Sequence, residues 1–255
     1  MLDAEHYPDS KTVLGRILRL PLSLVPKTAV VPILHGPLRG KRWIAGSGIH
    51  RLWLGSYEPF KMVFAADLTH PGAVVFDIGA NVGIYTLLFS DRVTASGRVV
   101  AFEPSPRNVV YLEKHLALNG ASNVDVVNAA VSDIRGYSAF DATSGSCTGH
   151  LEPSGGLLVR TTTIDHFVES SGLRPSLIKV DVEGSEADVL RGATGTLRST
   201  RPQILLATHS ADIKQTCTDL LVEWGYQVDE LSDGSTVFAD ELIARPRGDR
   251  NGGTQ

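Results

Sequence analysis

From residue 73 onward, short apolar runs alternate with stretches of helical periodicity. The runs are almost continuously apolar, which is typical of parallel strands buried on both faces. Alternation of strand and helix with short connections predicts an α/β fold, a doubly wound and mostly parallel sheet with right-handed crossovers. The predicted parallel strands are AVVFDI (73–78), RVVAFE (98–103), VDVVNA (124–129), SLIKVDV (176–182) and QILLATH (203–209).

The segments between these strands carry helix signals. Pro106 can open a helix that stops at Asn119-Gly120, and Thr163 or Asp165 can open a short one. Further helices are predicted for IYTLLFSD (84–91), for SEADVLRGATGTLRS (185–199) and for DIKQTCTDLLVEWG (212–225). Short strands are predicted for GYSAFDA (136–142) and LLVRTTT (157–163), and an antiparallel hairpin, YQVDELSDGSTVFA (226–239), would close a seven-stranded sheet.

The first 57 residues differ from the rest in charge. Between Lys11 and Tyr57 there are eight basic residues and no acidic one, so this stretch has a charge of +8. Since the net charge of the whole chain is −4, all other residues together have a charge of −12. Residues 11–20 place apolar side chains on one helical face, which would allow peripheral contact with an anionic membrane or attract an anionic substrate. The simpler interpretation is a helix packed on the main domain with a solvated basic face.

We therefore expect three parts in the chain. Residues 1–57 would form a basic helix and a small β-rich cap, residues 58–245 the main cofactor-binding domain, and residues 246–255 a flexible tail. The β-rich part of the cap is predicted over residues 28–54, where glycines interrupt short apolar runs.

Composition excludes several classes of protein. The chain has 255 residues and is 42% hydrophobic, too apolar for a disordered chain and long enough for a core without staples. No run of 18 apolar residues predicts a membrane span, and MLDAEHYPDS does not have the pattern of a secretory signal. Cys147 and Cys217 are too few for a disulfide framework, which favours a cytoplasmic protein. The net charge of −4 gives no indication of nucleic-acid binding.

A glycine-rich turn follows the first parallel strand. A dinucleotide fingerprint beginning at Gly79 would need glycine at positions 81 and 84, where this chain has Asn81 and Ile84. The turn instead suits a cofactor without phosphate and with a cationic centre, such as S-adenosylmethionine. Asp77, at the tip of the strand, would favour the ammonium and sulfonium of such a ligand, and Gly83 would allow close approach to the next helix.

The next two strand ends add candidate contacts. Glu103 lies 24 residues beyond Gly79, a spacing that suits a carboxylate accepting ribose hydroxyls, although an acid that merely caps the next helix would look the same. The third strand supplies Asn128, Ala129 and Ala130, small or polar residues that could flank an adenine ring.

The fourth strand carries three charges. Lys179, Asp181 and Glu183 alternate onto one side of the strand while it lasts. Buried charges are costly unless they are paired or form a site. A functional site and a self-satisfied ion cluster are both consistent with this pattern. Glu183 and Glu186 also suit the N-terminus of the following helix.

Together these motifs resemble the FkbM-type methyltransferases. The resemblance covers roughly residues 35–210 and is carried by HGPLRGKRW, LGSYEP, VVFDIGANVGIYTLLFS, GRVVAFEPSPRNVVYLEKHLALNG, VVNAAVSD and LIKVDVEGSEADVLRGA. It implies an S-adenosylmethionine-dependent O-methyltransferase of the class I, Rossmann-like fold, acting on a hydroxylated small molecule such as a natural product or a sugar. One position departs from the pattern. Where many relatives have an acid two residues before a histidine, this chain reads Ala207-Thr208-His209.

The resemblance also implies roles for residues of this chain. Asp181 and Glu183 would face the methyl-transfer centre. It also implies the methionine end of the cofactor on Asp77, Gly79 and Gly83, the ribose on Glu103, and closure over the cofactor or substrate by Tyr57 and Glu58. We further predict cofactor contacts from Asn81, Pro104, Ser105, Asn128, Ala129 and Asp181.

Removal of the hydroxyl proton calls for a base. His209, Glu183 and Asp181 are the predicted catalytic residues, and His150 is a further candidate base. Asp181, Glu183 and His209 could also gather round a divalent cation, but we predict no metal ion. Two other functions remain open, a nicotinamide-dependent oxidoreductase on a similar sheet and a non-catalytic module that docks through the basic N-terminal region.

Overall fold

The computed structural model describes residue 22 and residues 24–141, 150–151 and 156–248. The predicted basic helix at 11–20, Cys147 and most of the predicted tail lie outside these residues, as does the side chain of His150. Cys217 is a buried free thiol. Among the described helices, we find none with the length and apolar character needed to cross a bilayer.

The elements alternate along the chain largely as the apolar pattern predicts. The strands are β1 (Val30–Pro32), β2 (Arg42–Ile44), β3 (Val74–Ile78), β4 (Arg98–Phe102), β5 (Val124–Val127), β6 (Ala130–Val131), β7 (Gly136–Asp141), β8 (His150–Leu151), β9 (Leu157–Thr162), β10 (Leu177–Val180), β11 (Gln203–Ala207), β12 (Tyr226–Ser232) and β13 (Val237–Pro246). The helices are α1 (His50–Leu54), α2 (Pro59–Asp67), α3 (Ile84–Val93), α4 (Pro106–Asn119), α5 (Ile164–Ser171), α6 (Glu186–Arg191), α7 (Thr194–Ser199) and α8 (Ala211–Glu223).

Seven strands form the central sheet in the order β12-β13-β11-β10-β3-β4-β5. The four pairings that join the strands β11, β10, β3, β4 and β5 are parallel, whereas β13 is antiparallel to both β11 and β12. The predicted mostly parallel sheet with an antiparallel closing hairpin is confirmed. The strand order reverses between β3 and β10, so the cleft that such sheets use for ligands lies at their carboxyl ends.

The core fills both faces of this sheet. All four residues of β10 are buried, as a near-continuous apolar run requires when helices cover both faces. On one face, Phe76 and Phe102 pack edge-on against each other and against Phe167 of α5, with ring centroids 5.1 to 5.8 Å apart. This packing fixes β3 and β4, whose ends carry candidate site residues.

The segment before the sheet shares its core. Trp43 is fully buried and stacks on His115 of α4, with ring centroids 3.6 Å apart, while the backbone N–H of Ile44 donates to His115 Nε2. The predicted β-rich cap contains only two strands, β1 and β2, of three residues each. The helices α1 and α2 were not predicted from the sequence. A second sheet of four strands, in the order β6-β9-β7-β8, packs beside the cleft of the main sheet. Its strands β7 and β9 correspond to the two short strands predicted over residues 136–142 and 157–163.

Two further predictions need correction. The fourth parallel strand ends at Val180 rather than at 182, because Glu183 (φ 55°) and Gly184 (φ 111°) turn the chain into left-handed backbone. The single helix predicted over 185–199 is wrong, since it divides into α6 and α7 at Gly192. A Cβ at Gly192 would lie 2.1 Å from the carbonyl oxygen of Ser132, and Gly192 accepts a hydrogen bond from the backbone of Asp165. Tertiary contact therefore interrupts the helical pattern.

Candidate active site

A cavity of about 670 Å³ opens at the carboxyl ends of β3, β4, β10 and β11. This volume is typical of small-molecule sites. Part of its wall is apolar and comes from Ile78, Phe102, Ala129 and Val131. Its acidic side chains are those of Glu58, Glu103, Asp181, Glu183, Asp240 and Glu241. The cavity lies where a doubly wound sheet places its ligand.

The glycine-rich turn forms the floor of the cavity. Gly79 (φ +78°) packs so closely on the next strand end that a Cβ would lie 1.8 Å from the carbonyl oxygen of Asp181. Gly83 (φ +93°) packs on α4, where a Cβ would lie 2.3 Å from Leu112 Cδ1. Asn81 adopts φ +51° and accepts a hydrogen bond from the backbone of Val82 on its own Oδ1. The glycines are therefore required by backbone conformation and packing, and Gly79 and Asn81 also line the cavity.

Asp77 lies beneath this floor. Its carboxylate is fully buried, and Oδ2 accepts a hydrogen bond of 2.6 Å from Thr86 Oγ1. Lys179 Nζ lies 3.5 Å from Asp77 Oδ1 and 3.3 Å from Asp181 Oδ2. Asp77 is not part of the described cavity wall, whereas Lys179 and Asp181 are. Lys179 thus separates Asp77 from the cavity, and the contact we predicted between Asp77 and an ammonium stays a prediction.

Glu103 reaches the cavity from the end of β4. It is 4% exposed, its Oε2 accepts from the backbone of Asn81 (2.8 Å), and its Oε1 accepts from the backbone of Ser105 (2.9 Å) and from Asn108 Nδ2 (3.3 Å). Burial raises the pKa of this carboxyl to about 7, against the lowering effect of these donors. A carboxylate has about four acceptor positions, so it can accept a further hydrogen bond from a ligand hydroxyl.

Asn128 supports this corner instead of facing the cavity. Its Nδ2 donates to the carbonyl oxygens of Glu103 (2.9 Å) and Pro104 (3.0 Å), which fixes the turn after β4. Ala129 lies on the cavity wall, as do Pro104 and Ser105.

Acidic groups surround His209 on the opposite wall. His209 Nε2 lies 3.3 Å from Glu183 Oε2 and 3.7 Å from Asp181 Oδ1, and His209 Nδ1 lies 2.7 Å from Glu186 Oε1. The hydrogen bond to Glu186, followed by the charges of Glu186, Glu183 and Asp181, raises the pKa of His209 to about 9 against the effect of burial. These neighbours therefore favour the protonated form of the ring.

The same cluster offers donors of the type that a divalent cation accepts. One ligand atom each of Asp181, Glu183 and His209 lies within 4.8 Å of the others. Lys179 and His209 can also compensate these carboxylates, and the absence of a metal ion stays a prediction.

A second charged group lines the cavity near α2. Lys61 Nζ lies 2.5 Å from Glu58 Oε1 and 2.6 Å from Glu241 Oε1 of β13. The hydroxyl of Tyr85 donates to Glu58 Oε2 at 2.8 Å, and Lys179 Nζ lies 4.9 Å from the centroid of its ring. Burial first, and then the charge of Glu58, holds the pKa of Tyr85 well above its ordinary value.

Most of the predicted site residues meet at this one cavity. Its wall includes Tyr57, Glu58, Gly79, Asn81, Glu103, Pro104, Ser105, Ala129, Asp181, Glu183 and His209. Asp77, Gly83 and Asn128 lie behind the described wall. The sequence analysis missed Lys61, Tyr85 and Glu241 at the wall, and Glu186 behind it. Glu186 was noted only as an acid suited to a helix N-terminus. Its position three residues after Glu183 is the signal that could have connected it to the site.

Comparison with known proteins gives a consistent family. The family model described as the methyltransferase FkbM domain matches residues 77–231. A curated relative, a hexuronic acid methyltransferase from Haloferax volcanii, is 28% identical over 153 residues, which are 59% of this chain and 62% of the relative. A 2-O-methyltransferase from Sinorhizobium fredii is 28% identical in an alignment of 155 positions that covers 52% of this chain and 63% of that protein. The chain thus spans somewhat less than two thirds of the length of these two relatives.

Two further matches bear on substrate and fold. A ribosomal RNA small subunit methyltransferase from Leifsonia xyli is 30% identical in an alignment of 151 positions that covers 55% of this chain and 70% of the relative. Among solved structures, the methyltransferase FkbM from Methylobacillus flagellatus aligns with a TM-score of 0.52 at 17% identity, covering 77% of this chain and 53% of that one. The structural likeness shows a class I methyltransferase fold.

Proposed function

Since this chain belongs to the FkbM methyltransferase family, we propose that it uses S-adenosylmethionine to methylate a hydroxyl group of a small molecule in the cytoplasm. The observation that carries the proposal is the position of Glu103 and His209 on opposite walls of one cavity, with the Gly79–Gly83 turn between them. The first is suited to hold a ribose and the second to take a proton.

The residues present fit this cofactor. Glu103 retains acceptor capacity for a ribose hydroxyl, and Ala129 and Phe102 offer apolar surface to a base. The carboxylates of Glu58, Asp181 and Glu183 favour a ligand with positive charge. When bound, S-adenosylmethionine supplies a methyl group already activated on a sulfonium.

The chain has to position the acceptor and remove its proton. Well-oriented reactants reach effective molarities of about 10⁵ M and above, so orientation within the cavity is a large part of the acceleration. His209, Asp181 and Glu183 lie together at the wall, and an acceptor hydroxyl within hydrogen-bond reach of them can lose its proton as the oxygen attacks. We propose the neutral form of His209 as the base, because its ring can take up a proton and become a cation that the neighbouring carboxylates compensate.

A sugar or another hydroxylated natural product is the acceptor class we propose. A hexuronic acid methyltransferase and a 2-O-methyltransferase among the relatives support it. The ribosomal RNA methyltransferase supports a second candidate, a nucleic acid. Against the second candidate, the described cavity wall carries six carboxylates and three Lys or Arg side chains, an excess of negative charge that disfavours a phosphate backbone.

Calorimetric titration tests the cofactor. Wild-type protein, Glu103→Gln and the control Glu113→Gln, which removes an exposed acid of α4, are titrated with S-adenosylhomocysteine and separately with NAD. We expect micromolar binding of S-adenosylhomocysteine alone, weakened at least tenfold by Glu103→Gln and unchanged in the control. Binding of NAD instead would identify an oxidoreductase, and absence of binding by both would favour a docking module.

Transfer of radiolabelled methyl groups tests the acceptor. A panel of methyl glycosides, including methyl hexuronosides, is incubated with labelled S-adenosylmethionine in parallel with purified ribosomal RNA. Label in a glycoside that resists mild base supports O-methylation of a sugar. Label in RNA alone would overturn the small-molecule proposal.

A further inference from the structure

We propose that Glu186, which does not itself reach the cavity, is a positioning residue that holds His209 with Nδ1 protonated and Nε2 directed at the acceptor. The inference rests on the proposed function, because it assigns Glu186 a role in the same proton removal. It concerns a residue that neither the sequence analysis nor the cavity wall identifies as part of the site.

The geometry fixes which nitrogen carries the proton. Glu186 Oε1 lies 2.7 Å from His209 Nδ1, and an ionised carboxylate only accepts hydrogen bonds. Nδ1 must therefore be the donor, and the second nitrogen carries the lone pair when the ring is neutral. Because Glu183 and Asp181 lie on the cavity wall and Glu186 does not, Nε2, which faces the first two, is the nitrogen on the cavity side.

Glu186 is itself held rigidly. It is fully buried at the first position of α6, and its Oε1 also accepts a hydrogen bond of 3.0 Å from the backbone of Gly184. Its Oε2 is buried and has no hydrogen-bond partner among the residues that the structure describes. A buried carboxylate is costly unless a positive partner compensates it. His209 supplies that partner, so the two residues form one unit.

The surroundings of the ring favour its protonated form. His209 faces Glu186 from α6 and Asp181 and Glu183 from the segment after β10, while Lys179 of β10 and Lys61 of α2 act on Asp181. Asp240 and Glu241 of β13 line the same cavity. The raised pKa of His209, about 9, agrees with this arrangement. The arrangement makes Nε2 a strong base. The fraction of His209 rings that are neutral, and can therefore accept a proton on Nε2, increases as the pH rises.

The proton and electron pairs balance in the proposed step. The acceptor oxygen forms a bond to the methyl carbon, the carbon–sulfur bond breaks with its electron pair retained by sulfur, and the hydroxyl proton passes to His209 Nε2. The products are a methyl ether, neutral S-adenosylhomocysteine and an imidazolium, which Glu186 stabilises through Nδ1–H. Proton transfer by a positioned base contributes about 10²- to 10⁴-fold to a rate.

Nitrogen NMR of histidine tests the positioning without an acceptor. Protein with ¹⁵N-labelled histidine is titrated with acid and base in complex with S-adenosylhomocysteine, and His209→Asn identifies the signal. In wild type we expect Nδ1 to stay protonated through the titration, with a midpoint near pH 9. In Glu186→Gln we expect a lower midpoint. Asp188→Asn removes an exposed carboxylate from the same helix and is expected to change neither value.

Turnover of the methyl glycoside that reacts best gives the second measurement. In Glu186→Ala we expect kcat to fall by about 10²-fold with little change in KM, and in Glu186→Gln a smaller loss with the pH profile shifted to lower pH. An unchanged midpoint and tautomer in Glu186→Gln would overturn the inference. The NMR result stands even if the glycoside panel fails, whereas loss of S-adenosylhomocysteine binding by wild type would count against the proposed function instead.

Discussion

The α-carbon of Gly79 lies directly against the carbonyl oxygen of Asp181, and a Cβ at residue 79 would lie 1.8 Å from that oxygen. This contact joins the turn after β3 to the segment after β10. The close packing of Gly79 on this carbonyl oxygen therefore fixes the distance between these two segments of the cavity wall.

Gly79→Ala tests this contact. The added methyl group must displace the backbone of Asp181 as well as occupy left-handed backbone, so we expect more than 2 kcal/mol of lost stability, consistent with overpacking costs of about 1–3 kcal/mol added to backbone strain. Gly120→Ala is the control, because its φ of +65° is similar but no atom lies within 4 Å of the added Cβ. Urea unfolding of both variants measures the difference. Equal losses would mean that the contact with Asp181 contributes nothing.

The pKa of Glu103 predicts how cofactor binding depends on pH. Burial raises this pKa to about 7, so the carboxyl is protonated below that pH. Because ribose hydroxyls donate to the ionised form, the affinity for S-adenosylhomocysteine should fall by about tenfold per pH unit below the midpoint. Titrations between pH 5.5 and 8.5 measure the slope. In Glu103→Gln the affinity should depend much less on pH, whereas Glu113→Gln should show the same dependence as wild type. An equal slope in wild type and both variants would assign the effect to another group.

His115 predicts acid sensitivity of the fold. It is buried under Trp43, with Ile44 N–H donating to Nε2 and Nδ1 facing the carbonyl oxygen of Val82, and burial lowers its pKa to about 4. The folded state therefore binds fewer protons than the unfolded state between about pH 4 and 6.5. Stability should be full above pH 6.5 and fall as the pH drops, by up to about 3 kcal/mol near pH 4.

Unfolding experiments across that range check the slope. His115→Asn is expected to be less stable at pH 7, because the stacking with Trp43 is lost, but to lose less stability on acidification than wild type does. His70→Gln replaces an exposed histidine and should keep the wild-type slope. A parallel slope in His115→Asn would show that another group carries the acid sensitivity.

The apolar pattern predicted the sheet because buried parallel strands such as β3 and β10 must be apolar on both faces. The site was predicted as far as its residues end such strands, as Glu103, Asp181 and His209 do. Lys61 and Glu241 were missed, since they are 180 residues apart in the chain and meet only through the packing of α2 beside β13. Local sequence carries no signal for such a pair.

Misjudged boundaries have equally physical causes. Gly192 divides a sequence with good helical periodicity, because its backbone packs on Ser132 from a distant loop. The contact of Asp77 with a ligand stays a prediction, because the direction of its side chain depends on Thr86 and Lys179. Side-chain direction at a strand end depends on neighbours that the strand itself does not encode.

Lys179 allows the role of Asp77 to be measured. Its ammonium lies between Asp77, which is fully buried, and Asp181, which is partly exposed. Removing one member of a buried ion pair leaves an uncompensated charge and typically costs about 3–5 kcal/mol. We therefore expect Lys179→Met to be strongly destabilising, and Asp77→Asn combined with it to recover part of the loss.

A double-mutant cycle of unfolding free energies measures this coupling, with Lys214→Met as control because its partner Glu230 lies at the surface. The four proteins of the cycle, which are wild type, Asp77→Asn, Lys179→Met and the double variant, are also titrated with S-adenosylhomocysteine and with S-adenosylmethionine. If Asp77 acts through Lys179, its replacement changes stability and leaves the ratio of the two affinities near the wild-type value. A selective loss of affinity for the cationic ligand in Asp77→Asn would instead assign Asp77 to the ligand, as its place near the carboxyl end of β3 suggests.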